Sequence, residues 1–186
     1  MLPKYPNTPG VQINEVRLSA PPIAGVSTSI AGFVGQAPVA SGAPATFTQF
    51  VNVANLVTSA DQFINDYMGD PTATNPFTSR STPLTRAVLG FFENGGSACY
   101  VVNVGSGNTI GDTEVIAGIA LLEPIDEISI LAAPGFNSAA VYTELRDQAE
   151  NTGDRFAIFD PPALNANPAS LTRPLDTRYA AIYYPR

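Results

Sequence analysis

Hydrophobic positions along the chain fall into two rhythms. Short unbroken runs of apolar and β-branched residues predict strands over 27–35, 98–104, 128–133, 155–160 and 179–184, with a further strand over 50–57. Between them the apolar residues take helical spacing. Leu84, Ala87, Val88, Phe91 and Phe92 recur at i, i+3, i+4, i+7 and i+8, behind Thr82 as a cap and Pro83 as the first helical residue, and Gly95-Gly96 ends the pattern. Ser59 and Gln62 have capping-box spacing ahead of a short helix with Phe63, Ile64 and Tyr67 on one side. Val115, Ile116, Ile119 and Leu122 predict a helix capped by Asp112 or Thr113, and Val141, Tyr142, Leu145 and Ala149 one that stops at Gly153. Residues 69–81 read as a polar loop. Continuous apolar strands alternating with helices define an α/β class: a mixed, largely parallel sheet with helices on both faces. No repeat of fixed period runs through the chain.

The amino-terminal twenty residues differ. Pro3, Pro6 and Pro9 exclude a helix and favour extended backbone. Val11, Gln12, Ile13, Asn14, Glu15 and Val16 then begin with the alternation of a half-buried strand, and Pro21-Pro22 closes the segment. Such a strand has no hairpin partner beside it in sequence. It is expected to pair with something distant, in its own chain or another.

Composition narrows the chemistry. A chain of 186 residues is one domain or two small ones and buries about 70% of its unfolded surface. It is 45% hydrophobic but only 13% charged, with 9 basic against 16 acidic residues and a net charge of −7. So few cations form no basic patch, and direct nucleic-acid binding is not expected. Low charge with high apolar content is better suited to burial against other subunits than to a lone monomer. Histidine is absent, which removes Ser-His and Cys-His pairs, imidazole bases and His-ligated zinc. Cys99 is the one cysteine; it sits in an apolar run and reads as a small buried hydrophobe. The first ten residues lack the pattern of a signal peptide, and no apolar run reaches the ~20 residues that span a bilayer. A reducing cytoplasm, or a particle assembled in it, is the expected setting, with no membrane insertion.

One motif raises an enzyme reading. Strand 98–104 runs into Gly105, Gly107 and Gly111 and then a helix, superficially a dinucleotide-binding turn. The spacing is one residue longer than the pyrophosphate-binding pattern, and no acidic residue closes the next strand. A plain strand-to-helix loop is the simpler reading of 105–111. Asp160, at a strand end ahead of Pro161-Pro162, reads as a turn or capping residue, and Asp126-Glu127 as solvated loop charge. These residues assemble no catalytic, cofactor or metal site.

Five separated segments carry a family resemblance. Pro9-Gly10-Val11 with the run from Pro22 to Gly35 resembles the amino end of contractile tail sheath proteins, and the block from Ala87 to Gly96 leading into the strand from Cys99 to Val104 is the most specific match. The runs from Ile128 to Gly135, from Arg155 to Pro162 and from Tyr179 to Pro185 also resemble sheath segments, in the family's order. One departure is Asn103, where the resemblance leads us to expect a basic residue. The resemblance implies an inter-subunit arm at 1–20, an amino-terminal α/β sheath domain at 21–104 completed by a carboxyl-terminal region, and the start of a middle α/β domain at 105–186. Sheath proteins continue past the strand at 179–185, so 1–186 is expected to be the amino-terminal part of a longer subunit. The implied function is structural: hexameric rings of identical subunits stack in a helical lattice around an inner tube and contract to drive it through a target envelope. Its implied partners are other copies of itself, the inner tube protein, and baseplate and tail terminator proteins, in a virion tail or injection-system particle assembled in a bacterial cytoplasm. The alternative is a nucleotide-binding α/β enzyme using the loop from Gly105 to Gly111.

Overall fold

The computed structural model describes residues 29–38, 50–68, 82–105, 110–162 and 173–183. The predicted arm at 1–20, with Val11 to Val16, lies outside the described residues, as do the loop at 69–81 and positions 106–109 of the glycine loop. Among the described residues six strands form one sheet: β1 (Ile30–Gly35), β2 (Asn55–Val57), β3 (Cys99–Asn103), β4 (Ile128–Ala132), β5 (Phe156–Phe159) and β6 (Ala180–Ile182). Their spatial order is β2-β3-β1-β4-β5-β6. β1 pairs in parallel with β3 and β4, β4 with β5, and β5 with β6, whereas β2 runs antiparallel to β3 at the edge. This is the expected mixed, largely parallel α/β sheet. The predicted boundary between 104 and 105 falls inside it, since β1 is hydrogen-bonded to strands on both sides of that position.

The described helices that cover it are α1 (Ala60–Phe63), which continues as a π-helical turn over Ile64–Met68, α2 (Pro83–Glu93), α3 (Asp112–Ala120) and α4 (Ala139–Thr152). Alternate strand residues point to opposite faces, so the continuous apolar runs feed two cores. Val34, Val102, Leu131, Ala157 and Phe159 pack with α3 and α4, and Ala31, Phe33, Cys99, Val101 and Ala132 with α1 and α2. Helix α3 lies so close to the sheet that a Cβ on Gly118 would meet methyls of Val34 and Val104 at 2.7 Å.

Local chemistry sets the ends. Thr82 Oγ1 accepts from the Thr85 amide at 3.2 Å, and Pro83 opens α2. At the other end Gly96 is required, because the Phe91 ring lies where a Cβ would stand. Ser59 and Ser138 cap α1 and α4 through their hydroxyls, and Gly153 at φ 70° ends α4. Arg155 is buried just before β5 and donates to the carbonyls of Leu122 and Ile125 at 3.0 and 3.2 Å, holding the turn between α3 and β4.

Two expectations are corrected. The strand predicted over 50–57 shrinks to Asn55–Val57, because Phe50 and Asn52 adopt left-handed backbone (φ 47° and 55°) and Val51 makes only an isolated bridge to Asn103. Helix α3 is capped by Gly111, not by Asp112 or Thr113: the Glu114 carboxylate reaches back to accept from the Gly111 amide at 2.9 Å, so Asp112 falls in the first turn. In α2 the buried residues are Leu84, Thr85, Val88 and Leu89, with Phe91 and Phe92 half-buried. The helix packs on α1 as well as on the sheet, so a second row is covered.

Candidate functional site

In an open α/β sheet the crevice for ligands lies beyond the carboxyl ends of the strands, where the strand order reverses. Here the order reverses at β1, between β3 and β4. The loops at that rim are stitched by side chains of the chain itself. Asn103, fully buried at the end of β3, accepts through Oδ1 from the amides of Ala37 and Gly105, both at 3.0 Å. Asp160, just past β5, accepts through Oδ2 from the Gly135 amide at 2.7 Å. The Tyr142 hydroxyl donates to the Asp160 carbonyl, and Asn137 Nδ2 to the Pro161 carbonyl at 3.3 Å. The Ala37, Gly105 and Gly135 amides at this rim are therefore already occupied.

The helix entered from the glycine loop shows the same occupation. A dinucleotide-binding turn presents a free helix N-terminus to the pyrophosphate. At α3 that position holds the Glu114 carboxylate, with Asp112 in the same turn. The bond from the Gly111 amide holds the Glu114 carboxyl below the usual carboxylate range. An anion arriving there meets like charge. Gly105, at φ 116°, uses glycine's freedom to turn the chain out of β3.

Remaining candidate chemistry is buried or spread apart. Cys99 is fully buried between the sheet and its helices, and burial pushes its thiol up to about 12, so it stays protonated and packs. Glu127 accepts from the Tyr100 hydroxyl at 3.2 Å on the surface. A groove of about 200 Å³ at the rim is lined by Phe33, Ala87, Ala132, Pro134, Ile158 and Asp160, apolar apart from the carboxylate that already ties Gly135. Among the described residues no helix is long and apolar enough to cross a membrane, and no group of three His, Cys, Asp or Glu stands where it could hold a metal ion.

The sheet's two edges are the less satisfied surfaces. On one side β2 and its lead-in expose Phe50, Val51, Val53 and Leu56. On the other, β6 borders a groove of about 250 Å³ whose walls include Phe159, Leu175, Ala180 and Ile182. Neither edge surface is legible in the sequence. An apolar run of strand-forming residues looks alike whether it faces a core or water, and the left-handed turns that expose this one leave only Asn52 as a trace.

Sheet order, paired edges and the stitched rim define a doubly wound α/β body with an added antiparallel edge strand. No protein-family model matches the chain, and no curated protein sequence matches it. A solved structure does: the cryo-EM structure of the helical sheath of the anti-feeding prophage (AFP) in its contracted state, with a TM-score of 0.55 and 23% sequence identity. The alignment covers 96% of this chain and 45% of that one, so the chain spans less than half the length of the sheath chain whose fold it shares.

Proposed function

We propose that the chain is a structural, non-enzymatic subunit of a contractile sheath. The observation that carries the reading is the fold-wide likeness to a helical sheath chain over 96% of the present one. The segments with sheath-like sequence support it, because they form β1, the α2–β3 unit, β4, β5 and β6, which make up most of the sheet. The side-chain occupation of the rim and of the α3 N-terminus weighs against the nucleotide-binding alternative.

In this reading the subunits assemble as stacked hexameric rings around an inner tube, engage baseplate and terminator proteins at the ends, and shorten together to drive the tube forward. The particle is a phage tail or an injection system built in the bacterial cytoplasm. The arm strand at Val11, Gln12, Ile13, Asn14, Glu15 and Val16 tethers one subunit to another's sheet. Main-chain pairing gives such a tether affinity with little demand on side chains and lets it bend while still bonded. Residues 21–104 and 105–186 then serve as adjoining parts of the sheath body.

Negative-stain microscopy of the purified full chain tests this. Tubes with a helical surface lattice are the expected product. Deleting residues 1–17 should leave circular dichroism unchanged and abolish the tubes. A chain that stays monomeric at high concentration and gains thermal stability with a nucleotide would overturn the reading.

A further inference from the structure

The end of α2 carries a pair of residues with chemistry of its own. Asn94 precedes Gly95, the single Asn-Gly step in the sequence. An asparagine side chain is open to attack at its amide carbon, Cγ, by the backbone nitrogen of the next residue. Glycine hinders that attack least, because it has no side chain and its backbone turns freely. Every other asparagine is followed by a larger residue, such as Val53 after Asn52, Val104 after Asn103 and Thr152 after Asn151.

Asn94 is exposed, so water and hydroxide reach it, yet the fold restrains it. It is the C-cap of α2, and Gly95 (φ 91°) and Gly96 close the helix in a Schellman motif. The Gly95 amide donates to the Phe92 carbonyl at 3.0 Å and the Gly96 amide to the Phe91 carbonyl at 2.9 Å. Asn94 Nδ2 donates to the Gly90 carbonyl at 2.7 Å. Ring closure needs the Gly95 nitrogen nearly eclipsed with the Asn94 Cβ, and a ψ of 13° at Asn94 holds it far from there. The Gly95 and Nδ2 bonds must therefore break, and ψ must rotate, before nitrogen meets Cγ. Outside the turn itself no described atom lies within 4 Å of where a Cβ on Gly95 would stand, so that rotation has room.

We propose that Asn94 is a site of spontaneous deamidation whose rate is set by local opening of the α2 C-cap. In the opened turn the Gly95 nitrogen, its proton taken by hydroxide, bonds to Asn94 Cγ; the Cγ–Nδ2 bond breaks and the nitrogen leaves as ammonia. Water then opens the five-membered succinimide, at Cγ to give aspartate or at the backbone carbonyl to give isoaspartate. Either product puts a carboxylate where the helix carbonyls point outward, an unfavourable end for negative charge, and removes the donor to Gly90. Isoaspartate also adds a methylene to the backbone and spoils the spacing of the Gly95 and Gly96 bonds. Each conversion so loosens the turn that leads from α2 into β3. The inference is independent of the sheath reading.

Peptide mapping by mass spectrometry, on the full chain sampled during incubation in mildly alkaline buffer, tests it. Asn94 should be the first asparagine converted, to both isomers. Its rate in the folded chain should lie about tenfold or more below its rate in urea, as a local opening step requires. Gly96→Ala, whose Cβ would meet the Phe91 ring at 2.3 Å, should raise the folded-state rate several-fold and leave the urea rate unchanged. Phe91→Leu, which takes the ring off Gly96, is the second variant should the first fail to fold. Leu145→Ala, in the core on the other face of the sheet, lowers global stability without touching the cap and should leave the rate as in wild type. Asn94→Asp, which carries the product's carboxylate, should melt below wild type. Another asparagine converted first, or no conversion of Asn94 in the folded chain, overturns the site. Equal rates in the folded chain and in urea, or equal acceleration by Leu145→Ala and Gly96→Ala, overturns the gate. Wild-type melting of Asn94→Asp overturns the loosening.

Discussion

Replacing Asn103 tests how the rim is held. Its Oδ1 is the acceptor for two amides from different loops, Ala37 after β1 and Gly105 after β3, each at 3.0 Å. Ala37 is fully buried, so in Asn103→Ala its amide loses its acceptor with no water to replace it, at a cost of about 1–3 kcal/mol. Gly105 is partly exposed, and water recovers most of its bond. With the small cavity left by the amide group, the total comes to about 2–4 kcal/mol. Asn103→Lys is the sharper variant, because a basic residue is what the sheath resemblance leads one to expect there. An ammonium brings only donors to two amides that need an acceptor, in a fully buried position, so lysine should be worse than alanine. Urea unfolding of the dispersed subunit, followed by far-ultraviolet circular dichroism, measures both. An alanine variant within about 0.5 kcal/mol of wild type, or a lysine variant more stable than the alanine one, would refute the account.

Two further predictions concern α2 and α3. Phe91 is half-buried, its ring edge-on to Phe33 at 5.8 Å and laid against Gly96. Phe91→Ala should therefore cost about 1.5–3 kcal/mol, below the 3–5 of a fully buried ring, and thermal melting of the variant checks it; unchanged melting with impaired assembly would move the ring to a subunit contact. Glu114 is held below its unfolded pKa by the Gly111 amide, so its contribution is present above the ordinary carboxylate range, near 4.3, and is lost as pH falls through the folded-state value. Glu114→Gln should flatten the acid limb of stability below about pH 4.3, as read from urea midpoints; parallel limbs for the two proteins would sink the assignment.

The central strands were legible because burial on both faces leaves no polar alternation to obscure them. Ile30–Gly35, Cys99–Asn103 and Ile128–Ala132 all lie inside apolar runs that the sequence displays directly. Helices α2 and α4 were legible through caps and spacing. What escaped was long-range. Nothing around Asn103 announces a partner 66 residues away at Ala37. Nothing near Val53 distinguishes an exposed lead-in from a strand, since the residues favour extended backbone and the turn conformations override them. Asp112 is the better capping residue by type, yet Gly111 holds the cap position and Glu114 supplies the acceptor from the third helical position.

Whether a doubly wound sheet can hold a phosphate depends on which groups its rim leaves free. Doubly wound sheets place loop amides and helix N-termini at one end, and those groups bind phosphates when no side chain satisfies them first. Among the described residues Asn103, Asp160 and Glu114 accept from four of them, the amides of Ala37, Gly105, Gly135 and Gly111. The bonds from Ala37 to Asn103 and from Gly135 to Asp160 join chain segments that separate strands position, and so tie the rim together. A sheet's edges always end with groups to spare, and at the β2 edge of this one Phe50, Val51, Val53 and Leu56 stand exposed.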